Sequence, residues 1–141
     1  MKRIAGILIA CTCWAVASAA AAGETPAANY KIHCRGCHLA DGSGRPPDVP
    51  SLVGQMGRFL GVPGGRAFLV QVPGTANAPL DDADVAALLN WMLRTFSADT
   101  LPAAFTPYTA SEVTAYRRNR LLNAIARRKE LIAAMDETPA G

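Results

Sequence analysis

Between Asp81 and Phe96 the chain places an apolar residue at helical spacing. Val85, Leu88, Leu89, Met92, Leu93 and Phe96 recur at offsets of 3, 4, 7, 8 and 11, which is one face of a helix. Asp81 can cap its start, Asp82 and Asp84 fall in the first turn, and Arg94 sits near the negative end. Leu80 and Val85 hold the two hydrophobic-staple positions. An earlier helix is predicted before residue 34: Thr25 as N-cap, Pro26 at the first helical position, and no breaker from Ala27 to Ile32. A later one follows Thr109, whose spacing to Glu112 is that of a capping box, and neither Gly nor Pro interrupts Ala110 to Met135. Val113, Tyr116, Leu122, Ile125, Ile132 and Met135 mark its apolar side, imperfectly spaced. For the run from Ala67 to Val72 periodicity allows either a short helix or a buried strand.

The amino terminus follows another pattern. Lys2 and Arg3 precede an almost uncharged apolar run from Ile4 to Val16, and small residues follow up to Ala22. This is the layout of a cleaved secretory signal, so residues 1–22 are set apart and export to the periplasm is expected. The run is short for a spanning helix, which needs roughly 20 residues. An uncleaved membrane anchor is the minor alternative, and a lipoprotein signal on Cys11 a further one. The remainder divides into a domain over 23–99 and, over 100–141, a linker with Pro102 and Pro107 followed by the basic helix.

Removing the leader simplifies the chemistry. Of four cysteines only Cys34 and Cys37 remain, in Cys34-Arg35-Gly36-Cys37-His38. This is the C-x-x-C-H pattern of c-type haem attachment: two thiols add across the porphyrin vinyl groups, and the next imidazole reaches the iron. A thioredoxin-like dithiol would want a preceding strand, but the preceding segment reads as helix. A zinc ribbon would need a second ligand pair, and none is left.

With that motif, residues from about Thr25 to Phe96 resemble the class I monohaem cytochromes c of bacteria. Tyr30, four residues before Cys34, matches an aromatic on the family's N-terminal helix, and Pro50-Ser51-Leu52, beginning twelve residues after His38, matches its Pro-x-Leu loop. The resemblance implies an all-α fold of short helices around one covalent haem c, here with a C-terminal helical extension. It implies that the Pro50 carbonyl accepts a hydrogen bond from the second nitrogen of His38, fixing the ring. It also implies that Leu52 packs on the haem face, and that the last helix crosses the first with Tyr30, Leu88 and Trp91 in contact.

One departure matters. The family supplies a methionine from the loop before the last helix, but Val72 to Leu80 contains none. Met92 belongs to the apolar face, Met135 lies in the extension, and His33 is tied to the attachment side. Met56, between Gly54 and Gly57, is the candidate sixth ligand, with a plain packing role as the other reading. A five-coordinate iron, or one held by water or Asn77, stays open.

Charge separates the two parts. The whole chain carries +3, too little to suggest a nucleic-acid partner, and without Lys2 and Arg3 twelve basic residues face eleven acidic ones. Arg117, Arg118, Arg120, Arg127, Arg128 and Lys129 crowd the predicted last helix against Glu112 and Glu130. They read either as a solvated face or as a docking element for an acidic redox partner or an anionic membrane. The expected function is a periplasmic electron carrier between a redox donor and acceptor, not an enzyme, since no acid, base or nucleophile constellation appears beyond the haem. Two alternatives remain: a haem protein with an open distal site for gas sensing or peroxide chemistry, and a cytochrome subunit of a larger oxidoreductase complex.

Overall fold

Local signals build the first helix. The Thr25 hydroxyl accepts from the Ala28 N–H at 3.2 Å, and Pro26 opens α1, Pro26–His33. The computed structural model describes residues 24–137, so the expected signal over 1–22 lies outside the described residues. Within them the protein is all-α, with a lone β-bridge between Arg45 and Val49. After α1 come α2, Arg35–His38; α3, Met56–Phe59; α4, Gly65–Gln71; and α5, Pro73–Ala76. The long α6, Asp82–Phe96, and a 3₁₀ turn at Ala98–Thr100 precede α7, Ala110–Arg117, and α8, Ala124–Glu137. The run after Ala67, open between helix and strand, is thus helical up to Gln71.

Helix α6 organises the core. Asp81 caps it by accepting from Asp84 N–H at 2.7 Å, and all six residues of the apolar stripe are buried, with Ala86 beside them. Helix α1 packs across α6, bringing the Tyr30 ring to 5.4 Å from Trp91 and 5.0 Å from Phe96, both tilted as aromatic pairs prefer. Tyr30 and Leu88 are core residues, as expected, and Trp91 is half-buried.

The carboxyl-terminal part folds back on this core. Helix α7 lies on α6 and α4, while α8 lies on α3 and α4. The uninterrupted helix expected from Ala110 to Met135 is therefore broken at residues 118–123. A straight rod lying on α6 could not also turn back to α3. The Arg117 guanidinium donates to the carbonyls of Ala76, Ala78 and Leu80 and to Asp82, which pins the end of α7. Asn123 then caps α8, accepting from Ala126 N–H at 2.9 Å. The break reassigns the apolar face. Val113 and Leu131 are buried, but Leu122 and Ile125, expected on the packed side, are 105% and 84% exposed.

No helix among the described residues is long and apolar enough to cross a membrane.

Candidate functional site

The attachment motif sits where α1 ends. The Cys34 N–H closes α1 onto the Tyr30 carbonyl at 2.9 Å, and its own carbonyl receives Cys37 and His38, starting the single turn of α2. Leu39 ends that turn at φ 62°, in the left-handed region. The Tyr30 hydroxyl donates to the Leu39 carbonyl at 2.6 Å, so the buried aromatic that joins α1 to α6 also fastens the end of the motif.

The next segment wraps back on the motif through the main chain. Gly44 N–H reaches the His38 carbonyl at 3.1 Å, and Leu52 N–H reaches the Gly42 carbonyl at 2.8 Å. Gly44 has φ +71°, and a Cβ there would lie 2.5 Å from the Val49 oxygen and 2.7 Å from the Pro50 oxygen. Only glycine lets the two strands of this loop approach so closely. The result brings Pro50 to His38.

Of the imidazole nitrogens of His38, only Nδ1 is buried without a hydrogen-bond partner of full geometry. Burial lowers the ring's pKa, and the Pro50 carbonyl beside it partly offsets that. The sign favours a neutral ring, as an iron ligand needs to be. Cys34 is half-buried and Cys37 exposed, both as free thiols. Burial pushes the Cys34 thiol up, with Cys37 adding to the effect. A redox dithiol requires the opposite, a depressed thiol. Paired thiols and a neutral imidazole on one helical turn, the ring's inner nitrogen facing a carbonyl, make a donor set that fits a covalently held haem. Cys34 and Cys37 are the two thiols, and His38 the imidazole, that would hold such a group.

The other expected residues fall in different surroundings. Leu52 is half-buried against the hydrophobic core cluster. Met56 opens α3 and is 3% exposed, inside the same cluster as Phe59 and Leu93. Its N–H donates to the Ser97 hydroxyl at 3.0 Å, and that hydroxyl donates to the Leu52 carbonyl at 2.7 Å. Ser97 is fully buried and ties the Pro50–Leu52 loop and α3 to the end of α6. Sequence reasoning missed it, although a hydroxyl directly after the last apolar residue of a helix is a usable signal for a capping role. Met92 is core, Met135 half-buried in α8, His33 half-buried in the last turn of α1, and Asn77 exposed.

The contacts of the tail were also missing from the sequence reading. Arg66 forms a forked ion pair with Glu112 and stacks 4.0 Å above the Tyr108 ring, whose hydroxyl donates to the Arg66 carbonyl at 2.8 Å. Asn90 and Tyr108 exchange two hydrogen bonds, Nδ2 to the Tyr108 carbonyl and Tyr108 N–H to Oδ1. The hint was Asn90 itself, a polar residue inside the most apolar helix. Thr114 donates to Asp82, which also receives Arg117, and both contacts hold that carboxyl below its usual range.

No family model matches the chain. Two curated relatives, both named cytochrome c-552 and both from Thermus thermophilus, are similar to it at 29% identity. One alignment spans 131 residues, covering 79% of this chain and 88% of the relative; the other spans 128, covering 77% and 98%. Together with the helical architecture, this likeness gives the fold class that the sequence resemblance implied, the all-α class I cytochrome c fold.

Proposed function

We propose that the chain is an exported monohaem c-type cytochrome that carries single electrons between a redox donor and an acceptor. One observation carries the reading. Cys34, Cys37 and His38 share a single turn anchored by Tyr30, and the loop through Gly44 sets Pro50 against the inner nitrogen of His38. The relatives' name supports the same class.

The haem, when bound, supplies a one-electron Fe(III)/Fe(II) couple. The chain's own work is retention and orientation. Thioethers to Cys34 and Cys37 keep the group outside the cell, where lost haem could not be recovered. The Pro50 carbonyl, which faces the ring, would accept from Nδ1 of His38, fixing the ring and making it more electron-donating. Leu52, half-buried against the core, would pack on the haem face. The exposure of Cys37 leaves that edge of the site at the surface, where an electron partner can approach.

Met56 is the proposed second axial ligand. A second reading, an open distal position suited to gas binding or peroxide chemistry, is favoured by its packing: Met56 is embedded in the core, and the loop before α6 offers no methionine. The absorption spectrum of the ferric and ferrous protein, with Met56→Ala alongside, separates them. A low-spin spectrum with a methionine–iron charge-transfer band, lost in Met56→Ala, establishes the ligand and the carrier. A high-spin spectrum indifferent to the substitution assigns an open iron. Haem that stays covalently bound in a Cys34→Ala/Cys37→Ala double variant after denaturation would overturn the attachment assignment.

A further inference from the structure

The break between α7 and α8 creates a surface that the rest of the fold does not use. Leu122 is 105% exposed, more than in an extended peptide, and Ile125 in the first turn of α8 is 84% exposed. A leucine and an isoleucine three residues apart and both in water leave apolar area that a partner surface would gain by burying. Their neighbours are cationic. Arg118 and Arg120 precede Leu122 and are exposed; Arg128 and Lys129 stand three and four residues after Ile125, on its side of α8. None of these four makes an ion pair within residues 24–137, whereas Arg117 and Arg127 are held by Asp82 and Glu130. Within the tail, the cations committed to the fold and those left free are thus distinct, and the free ones, exposed Arg118, Arg120 and Lys129 and half-buried Arg128, flank Leu122 and Ile125 along the chain.

We propose that this corner docks the protein on an anionic phospholipid surface, with Leu122 and Ile125 entering the headgroup–acyl boundary and Arg118, Arg120, Arg128 and Lys129 meeting lipid phosphates. The shape decides for a membrane over a protein pocket. The two apolar side chains protrude from a chain corner with cations on both sides, the arrangement by which interfacial segments combine apolar burial with attraction to anionic lipid. An acidic protein would satisfy the charges but would need its own cavity for Leu122. Docking there would confine an electron carrier to the two dimensions in which membrane-bound partners move. The proposal rests on the tail alone and stands or falls separately from the haem assignment.

The test is co-sedimentation of the haem-loaded full chain with vesicles of phosphatidylglycerol mixed into phosphatidylcholine, and with phosphatidylcholine alone. Two variants accompany it: Leu122→Ser/Ile125→Ser, and Arg118→Gln/Arg120→Gln/Lys129→Gln. The parent should partition onto the anionic vesicles and be released by salt. The apolar pair should lower partitioning at least about tenfold. The triple variant should lower it about a hundredfold, taking roughly fivefold per cation. Unchanged haem spectra in both would show that the fold is intact. No binding by the parent overturns the proposal in favour of a protein partner. Equal binding by parent and variants overturns it by placing the contact elsewhere, the amino-terminal apolar run included. A dimer of the parent that Leu122→Ser/Ile125→Ser abolishes overturns it by showing that a second copy covers the corner.

Discussion

The attachment turn and the folded-back tail are secured in opposite ways. From Cys34 to Gly54 the chain is held mainly by its own backbone: His38 to Cys34, Gly44 to His38, Leu52 to Gly42, and Gly54 to the Phe96 carbonyl at 2.7 Å. From Phe105 to Arg117 the contacts are side-chain forks reaching 18 to 46 residues back: Arg66 with Glu112, Asn90 with Tyr108, and Arg117 with the loop before α6. Backbone bonds within a short loop depend on conformation, so glycine positions control them. Side-chain forks depend on partner identity, so single charges control them. The proposed haem-binding turn should therefore tolerate changes of surface side chain and fail on changes of backbone freedom, and the tail the reverse.

The sharpest way to break this contrast is Gly44→Ala. A methyl at φ +71° between the Val49 and Pro50 oxygens should cost about 3 kcal/mol or more and drive Pro50 away from His38. Denaturant unfolding measures the loss, and the yield of covalent haem should fall with it; normal stability would mean the loop is not built as described. Arg117→Ala comes next. It strips donors from three carbonyls and Asp82, and should cost about 2–3 kcal/mol by thermal unfolding. Hydrogen exchange should quicken in residues 76–80 and in α7, but not at the attachment turn. Equal quickening in both would erase the distinction between the regions.

Tyr30→Phe probes the side-chain hydroxyl that fastens the end of the turn at Leu39. Loss of the bond to the Leu39 carbonyl should cost about 1 kcal/mol while the aromatic packing persists. A larger loss would mean that the turn leans on side chains more than its backbone pattern implies.

The smallest effect concerns acid. Arg66 holds the Glu112 carboxyl below its ordinary 4.5, as Thr114 and Arg117 hold Asp82 below 3.8. Carboxyls depressed by folding stabilise the native state fully above their unfolded values and lose that contribution as pH falls through the lower native values. Stability should be flat above about pH 5 and decline below about pH 4. In Glu112→Gln the decline should be shallower, with about 1 kcal/mol lost at neutral pH, since the two side chains are 27% and 22% exposed and still partly screened by water. An acid profile identical in the variant would mean that this fork contributes nothing.

Which features were legible follows from the same division. The α6 stripe, its Asp81 cap and the Thr25–Pro26 start were readable because each is a repeat or a cap within a few residues. Met56 was legible only as a sulfur between glycines, since neither its burial nor the Ser97 hydroxyl on its backbone has a local signature. The break at residues 118–123 was invisible for a comparable reason. No Gly or Pro marks it, and Asn123 becomes a cap only once Arg117 has been caught by carbonyls some forty residues earlier.

By itself the sequence named the candidate attachment residues, because two thiols and an imidazole at fixed spacing on one turn need no distant partner. It determined the helical core for the same reason: a periodic stripe has only one face to bury. The tertiary structure alone decided where the tail lies, which cations are spent on the fold and which stay free, and that Leu122 and Ile125 face water. Those outcomes depend on geometry between segments far apart in the chain, and no local pattern of residues signals the direction in which a helix turns back.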